Sequence, residues 1–185
     1  MITTPADIKK AALALSEGGV IAYPTEAVWG LGCDPKNEAA VTRLLAIKQR
    51  PVAKGLILIA ATLEQLAPFL GELTSAEQQR LSDAWPGFTT FVVPASAHVP
   101  AWIKGNFSRV ALRVSAHPLV ADLCHAFGGP LVSSSANRAG QAPAQSFEQT
   151  VDMFPQELAY VLPGDLGGAQ KPSAIIDVAS GQCLR

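Results

Sequence analysis

Four short polar stretches in this 185-residue chain hold the residue types that chemistry needs. The first is Tyr23-Pro-Thr-Glu-Ala-Val-Trp-Gly-Leu-Gly32, where an apolar segment meets a rigid proline, the Thr25 hydroxyl, the Glu26 carboxylate and two glycines. Glycines at such a point let a ligand or another backbone come close. A tight turn around a packed Trp29 is the plainer alternative. Gly30-Leu-Gly32 is too short for a dinucleotide fingerprint, which needs a third glycine opening a helix. The second stretch is Lys48-Gln-Arg50-Pro51, with Lys54 just behind it. Cations gather at helix C-termini for dipole reasons alone. A paired lysine and arginine also suit phosphate, the arginine with a planar fork and the lysine as a point charge.

The third stretch holds Arg109 and Arg113, the latter inside the apolar run Val110-Ala-Leu-Arg-Val114. Arginine is rarely buried without a partner, so Arg113 either lies on an open sheet face or meets an anion. The fourth is Ser133-Ser-Ser-Ala-Asn137, a dense set of small donors and acceptors following Leu131-Val132. No G-x-S-x-G elbow surrounds these serines, which argues against a hydrolase nucleophile and leaves ligand hydrogen bonding or turn capping. Lys171-Pro-Ser173 precedes a further apolar stretch, and Arg185 is the last residue. The chain has no GxxxxGK[ST] loop, so any ATP would be bound without a P-loop.

These stretches sit between elements whose periodicity is legible. Thr4-Pro5 opens a helix with Ile8, Ala11, Ala12 and Leu15 on one face, stopped by Gly18-Gly19. Asn37 caps a second helix that delivers Lys48 and Arg50 ahead of Pro51. Further helices are expected near residues 63–70, 75–85, 117–127 and 146–154, and strands at 20–23, 56–59, 89–93, 110–114, 131–132 and 159–162. Residues 174–178 and 182–184 read as a hairpin around Ser180-Gly181, and residues 133–140 as a polar loop. Interleaved helices and apolar strands predict one α/β domain over 1–185, with a twisted, mostly mixed sheet and ligands at strand ends.

Composition narrows the function classes. Apolar residues make up 49%, yet no apolar run reaches the roughly 18 residues of a membrane span, and MITTPADIKK lacks a signal core. A soluble cytoplasmic protein without a membrane partner is expected. Net charge is −1, so any polyanion site must be local rather than a coating of the whole surface. Cys33, Cys124 and Cys183 are expected to be buried or half-buried thiols, and with His98, His117 and His125 they form no metal spacing. No protein-built metal site is expected.

Together these segments resemble the YrdC-like family of threonylcarbamoyl-AMP synthases, collinearly from about Ala6 to Arg185. The family's YPTET-[VY]-GLG signature appears as Tyr23–Gly32, KxRP as Lys48–Pro51, and WPGP-x-T as Trp85-Pro-Gly-Phe-Thr-Thr90. Arg113 matches its strand arginine, Ser135-Ala-Asn137 its SAN loop, and Pro172-Ser173-Ala174 its PS-T motif. The resemblance implies a YrdC-like fold with a concave cationic groove, in the short single-domain form. It places Thr25, Arg113, Ser133 and Ser173 at L-threonine, and Lys48, Arg50, Lys54, Arg109, Ser135, Asn137 and Arg185 at ATP, with Lys48 and Arg50 as the catalytic pair.

The implied nucleotidyltransferase reaction joins L-threonine, bicarbonate or CO2 and ATP into threonylcarbamoyl-AMP and pyrophosphate, for threonylcarbamoyladenosine (t6A) at tRNA position 37. Mg2+ would arrive with ATP, and downstream tRNA threonylcarbamoyl-transfer proteins would receive the product. Four positions depart from the family pattern: Gly55 stands for a proline, Ile59 for a histidine of longer relatives, and Phe88 and Ala174 for a proline and a threonine. The main rival is an RNA-binding or ribosome-maturation module using the same groove. Such a module wants cations spread along a track, whereas here they are few and interleaved with hydroxyls. A sugar-phosphate enzyme ranks last, because these loops lack clustered carboxylates.

Overall fold

Thr4 starts the chain's first helix with a reciprocal capping box: its Oγ1 accepts from the Asp7 N–H, and the Asp7 carboxylate accepts from the Thr4 N–H. Asn37 caps the second helix in the same way by accepting from the Ala40 N–H. The computed structural model describes residues 2–185. Its helices are α1 (Pro5–Ser16), α2 (Glu38–Lys48), α3 (Leu63–Leu66), α4 (Ser75–Ala84), α5 (Ala101–Lys104), α6 (Pro118–Phe127) and α7 (Phe147–Met153). The strands are β1 (Ile21–Pro24), β2 (Trp29–Gly32), β3 (Ile57–Ala60), β4 (Thr89–Pro94), β5 (Arg109–Val114), β6 (Leu131–Ser135), β7 (Tyr160–Val161) and β8 (Ala174–Asp177).

The eight strands form one mixed sheet in the order β7-β1-β2-β6-β3-β5-β4-β8. Strand β6 joins its two halves, pairing through Ser134 and Ser135 with β2 and through Leu131, Val132 and Ser133 with β3. The expected polar loop after Val132 is therefore partly strand, because Ser133–Ser135 find backbone partners on both sides. Strand β2 and helix α5 have no counterpart among the sequence-derived elements. The C-terminal hairpin is present, with the Asp177 N–H donating to the Gln182 carbonyl and an antiparallel bridge between Ile176 and Cys183. Cys33 and Cys124 are buried as expected, whereas Cys183 is exposed on this hairpin.

Alternation along the strands assigns every second side chain to one face. The larger core covers the face carrying Leu31, Leu58, Phe91, Leu112, Val114 and Val132, and packs it against α2, α4 and α5. Leu58 and Leu112 are fully buried, and each such side chain contributes about 1.5–3 kcal/mol through burial. On the opposite face only part is covered. Helices α1 and α6 pack there over Ile21, Tyr23, Ile59 and Leu131. Register then places Gly30, Ser133, Ser135, Ile57, Ala111, Arg113, Thr90, Val92, Ile175 and Asp177 on the same face, beyond the edge of those helices. That uncovered half of the sheet is the floor of the cavity described next.

Candidate active site

Every one of those ten floor residues lines a cavity of about 780 Å³, within the range of about 300–1,000 Å³ usual for small-molecule sites. Around them the wall carries Arg50, Lys54, Lys104, Arg109 and Arg185, with Asp177 the one carboxylate among the described wall residues. Arg50, Arg109 and Arg113 each keep a buried Nε–H that has no hydrogen-bond partner. Four guanidinium and two ammonium side chains against the one Asp177 side chain make a wall suited to an anionic ligand.

At one end the wall gathers Thr25, Arg113, Ser133 and Ser173, the set expected to face threonine. Arg113 is 6% exposed, and its Nη2 donates to Glu26 Oε2 at 3.2 Å. Its guanidinium lies 5.5 Å from the centre of the Phe88 ring, a cation–π distance. Burial pushes the Arg113 guanidinium below its ordinary value, and the Glu26 charge pulls the other way. The Ser173 hydroxyl lies 3.1 Å from that of Thr90, which is fully buried. Thr25 Oγ1 donates to the Val28 carbonyl at 2.7 Å and closes the turn between β1 and β2.

The other end holds Arg50, Lys54, Ser135 and Arg109, and Arg185 sits beside Ser173; these are most of the set expected at the nucleotide. Arg50 Nη2 donates to the Gly55 carbonyl at 3.0 Å, and burial with the Arg185 charge lowers its pKa. Arg185 is anchored by donating to the Ser173 carbonyl at 3.2 Å. Arg109 forms a two-pronged pair with Asp177 and also donates to the Val92 carbonyl at 2.9 Å. Part of its charge is thus already balanced. Phe107 and Leu184, 56% and 54% exposed, supply apolar surface at the cavity mouth.

Lys48 and Asn137 are not on the wall but behind it. The last turn of α2 directs Lys48 inward, where Nζ donates to the Ser135 carbonyl, the Asn137 carbonyl (3.0 Å) and Asn137 Oδ1 (3.2 Å). Its three N–H donors are all committed, and the residue is only 5% exposed. Burial, then the neighbouring Arg50 charge, pushes the ammonium down to about 8. Asn137 Oδ1 also accepts from Ser135 Oγ at 2.6 Å, while its Nδ2 donates to the Arg138 and Gln141 carbonyls. Lys48 therefore ties helix α2 to the end of β6 and aims Ser135 at the cavity. We predict that Lys48→Met strips the Asn137 carbonyl of its donor and removes one of two donors from the Ser135 carbonyl and from Asn137 Oδ1, at a cost of about 1–3 kcal/mol. Thermal melting should register a fall of about 2–4 °C per kcal/mol.

The family departures have local physical reasons. Gly55 has φ 65°, a conformation closed to proline, whose ring fixes φ near −65°. Ile59 is fully buried under α1 and α6 and contributes no side chain to the cavity. Phe88 places its ring at Arg113, and Ala174 is off the wall. Glu26, Ser115, Thr90 and Asp177 were not among the expected site residues. Thr90 and Asp177 reach the floor only through the pairings Thr90↔Ile175 and Val92↔Asp177, which a single sequence does not display. Glu26 and Ser115 stand behind Arg113, and the spacing of Ser115 two residues after Arg113 is the only sequence signal for it.

Fold and wall together define a class: an α/β protein in which part of one sheet face is left uncovered as a cavity whose wall includes four arginines. The chain belongs to the Sua5/YciO/YrdC family, described as Telomere recombination, whose match spans residues 13–185. It is 52% identical over 178 residues to the threonylcarbamoyl-AMP synthase of Chromohalobacter salexigens, covering 96% of each chain. Identity to the synthase of Cellvibrio japonicus is 51%, covering 96% of this chain and 94% of that one. P. abyssi Sua5 complexed with L-threonine superposes with a TM-score of 0.90 at 32% identity. That match covers 96% of this chain, which spans about half (53%) of the Sua5 chain.

Proposed function

We propose that this chain is a threonylcarbamoyl-AMP synthase, making threonylcarbamoyl-AMP and pyrophosphate from ATP, L-threonine and bicarbonate or CO2 for t6A modification of tRNA. The observation that carries this reading is identity of about half the residues with synthases over nearly the full length of both chains. The wall supports it with the guanidinium of Arg113 and further cations at Arg50, Lys54 and Arg185.

The chemistry needs no side-chain nucleophile. The threonine amine bonds to the carbon of CO2 and loses a proton, giving a carbamate. A carbamate oxygen then bonds to the α-phosphorus of ATP as the bond to the bridging oxygen breaks, and pyrophosphate leaves. Such a transfer depends on alignment and on stabilising charge at the phosphates. In this reading Arg113 grips the threonine carboxylate, Thr25, Ser133 and Ser173 orient the amino acid, and Arg50, Lys54 and Arg185 hold the phosphates. Ser135 and Arg109 face the rest of the nucleotide, while Lys48 and Asn137 set the position of Ser135. A sheltered cavity also serves a carbamate, which decomposes in water.

Magnesium carried on ATP would supply further charge neutralisation and would be held by phosphate oxygens. The wall fits that role better than a protein-built site, since Asp177 is committed to Arg109 and to the Ala179 and Ser180 N–H groups. Among the described residues no group of three His, Cys, Asp or Glu could hold a metal, and no helix is long and apolar enough to cross a membrane. The unstable product would pass, in the cytoplasm, to proteins that transfer it to tRNA. The test is label transfer: carbon from labelled bicarbonate should enter a species that contains both threonine and AMP. Label entering a threonine-free species instead would overturn the reading.

A further inference from the structure

The proposed reading leaves open what fixes Arg113, a long side chain whose aim decides whether a carboxylate can be gripped by two N–H groups at once. Its Nη2 is held by Glu26 Oε2 at 3.2 Å, and its guanidinium carbon lies over the Phe88 ring, 5.5 Å from the ring centre. The Nε–H stays buried and without a partner. Glu26 itself is not on the cavity wall. It is clamped in turn, because Oε1 accepts from Ser115 Oγ at 2.7 Å, and Ser115 Oγ accepts from the His117 N–H at 3.1 Å. The Glu26 carbonyl accepts from the Ala169 N–H at 2.9 Å, and the Thr25 carbonyl from the Gly167 N–H at 3.1 Å. Gly167 fits there because a Cβ would sit 3.0 Å from Glu26 Cα and 3.1 Å from His117 Cδ2.

A continuous chain of contacts thus runs from the N-terminus of α6 through Ser115 and Glu26 to Arg113 and the cavity. We propose that Glu26, braced by Ser115, is the positioning residue for Arg113, and that it governs threonine affinity without touching threonine. The inference rests on Arg113 gripping the amino-acid carboxylate. Arginine recognises a carboxylate best through two parallel N–H···O bonds, so the orientation of its plane matters as much as its charge. Glu26 takes one Nη2 N–H, which fixes the plane of the guanidinium and leaves its other Nη N–H groups for the ligand.

Steady-state kinetics on a double-mutant cycle separate these roles. Glu26→Gln keeps size and an acceptor oxygen but weakens the hold on Arg113, and should raise the KM for threonine about ten-fold, the loss of about one charge-assisted contact. The kcat and the KM for ATP should stay within about two-fold. In the Arg113→Gln background, adding Glu26→Gln should change the threonine KM by less than about two-fold, because a residue acting through Arg113 has nothing left to position. Ser115→Ala should move the threonine KM in the same direction by a smaller factor, and it provides the same test should Glu26→Gln fail to fold. Equal rises in both substrate constants, or additive effects in the cycle, would overturn the proposal. An unchanged threonine KM in Arg113→Gln itself would instead overturn the underlying assignment of Arg113.

Discussion

Arg50→Ala is expected to lower kcat/KM for ATP by about 10²-fold or more, the scale of losing one preorganised charge-stabilising group. The side chain lines the cavity, keeps a buried Nε–H without a partner, and is held in place by the Gly55 carbonyl. It fills no position in either apolar core, so folding stability should change by about 1 kcal/mol or less. The contrast with Lys48 is the informative part. Both residues sit in the same Lys48-Gln-Arg50-Pro51 segment, yet Lys48 has its donors committed to the β6 end while Arg50 faces the cavity. Loss of Lys48 should therefore appear in both melting temperature and rate, and loss of Arg50 in rate alone. Thermal melts and initial rates on the two variants distinguish these outcomes, and an unfolded Arg50→Ala would assign that residue to the fold.

Arg113→Ala should raise the threonine requirement about ten-fold to a hundred-fold, from about 1.5–3 kcal/mol for hydrogen bonds to a charged group. The ATP constant should move much less. A stability cost accompanies it, because the variant leaves the Glu26 carboxylate buried with Ser115 alone. Breaking a buried ion pair by removing one partner costs about 3–5 kcal/mol. Adding Glu26→Gln to Arg113→Ala removes the stranded charge and should restore most of the melting temperature without recovering threonine affinity. Arg113→Lys keeps the charge but not the fork, so it should rescue affinity in part. Titrations of each substrate with the other saturating, together with thermal melts, report the two effects separately. A shift in the ATP constant as large as that for threonine would move Arg113 to the nucleotide end.

How far these residues could be read from the sequence depended on whether their surroundings are local. Helices α1 and α2 were legible because their start signals, Thr4-Pro5 and Asn37, are local, and the structure adds a capping box from Thr74 and Glu77 at the start of α4. Strand β2 was hidden by its glycines, which are poor strand formers. In the fold Gly32 lies under the Tyr23 ring, where a Cβ would come within 2.7 Å of Tyr23 Cε1. Ser133–Ser135 read as loop for a similar reason, since what makes them strand is pairing with β2 and β3, distant in sequence. Of the residues the resemblance placed at the substrates, nine line the cavity, Arg50, Arg113, Ser135 and Ser173 among them. The resemblance did not show that Lys48 and Asn137 lie behind the wall, or that Glu26 and Asp177 already balance two of the arginines. Those facts follow from cross-strand register and from side-chain direction, which motif order does not carry.

The measurement that bears most directly on the whole account is pyrophosphate release with the substrates omitted one at a time. Release is expected only when ATP, L-threonine and bicarbonate are all present, with background alone in each single omission. Equal release without threonine would contradict it, because the cavity would then be serving some other ATP-consuming reaction and the division of its wall between an amino acid and a nucleotide would be wrong.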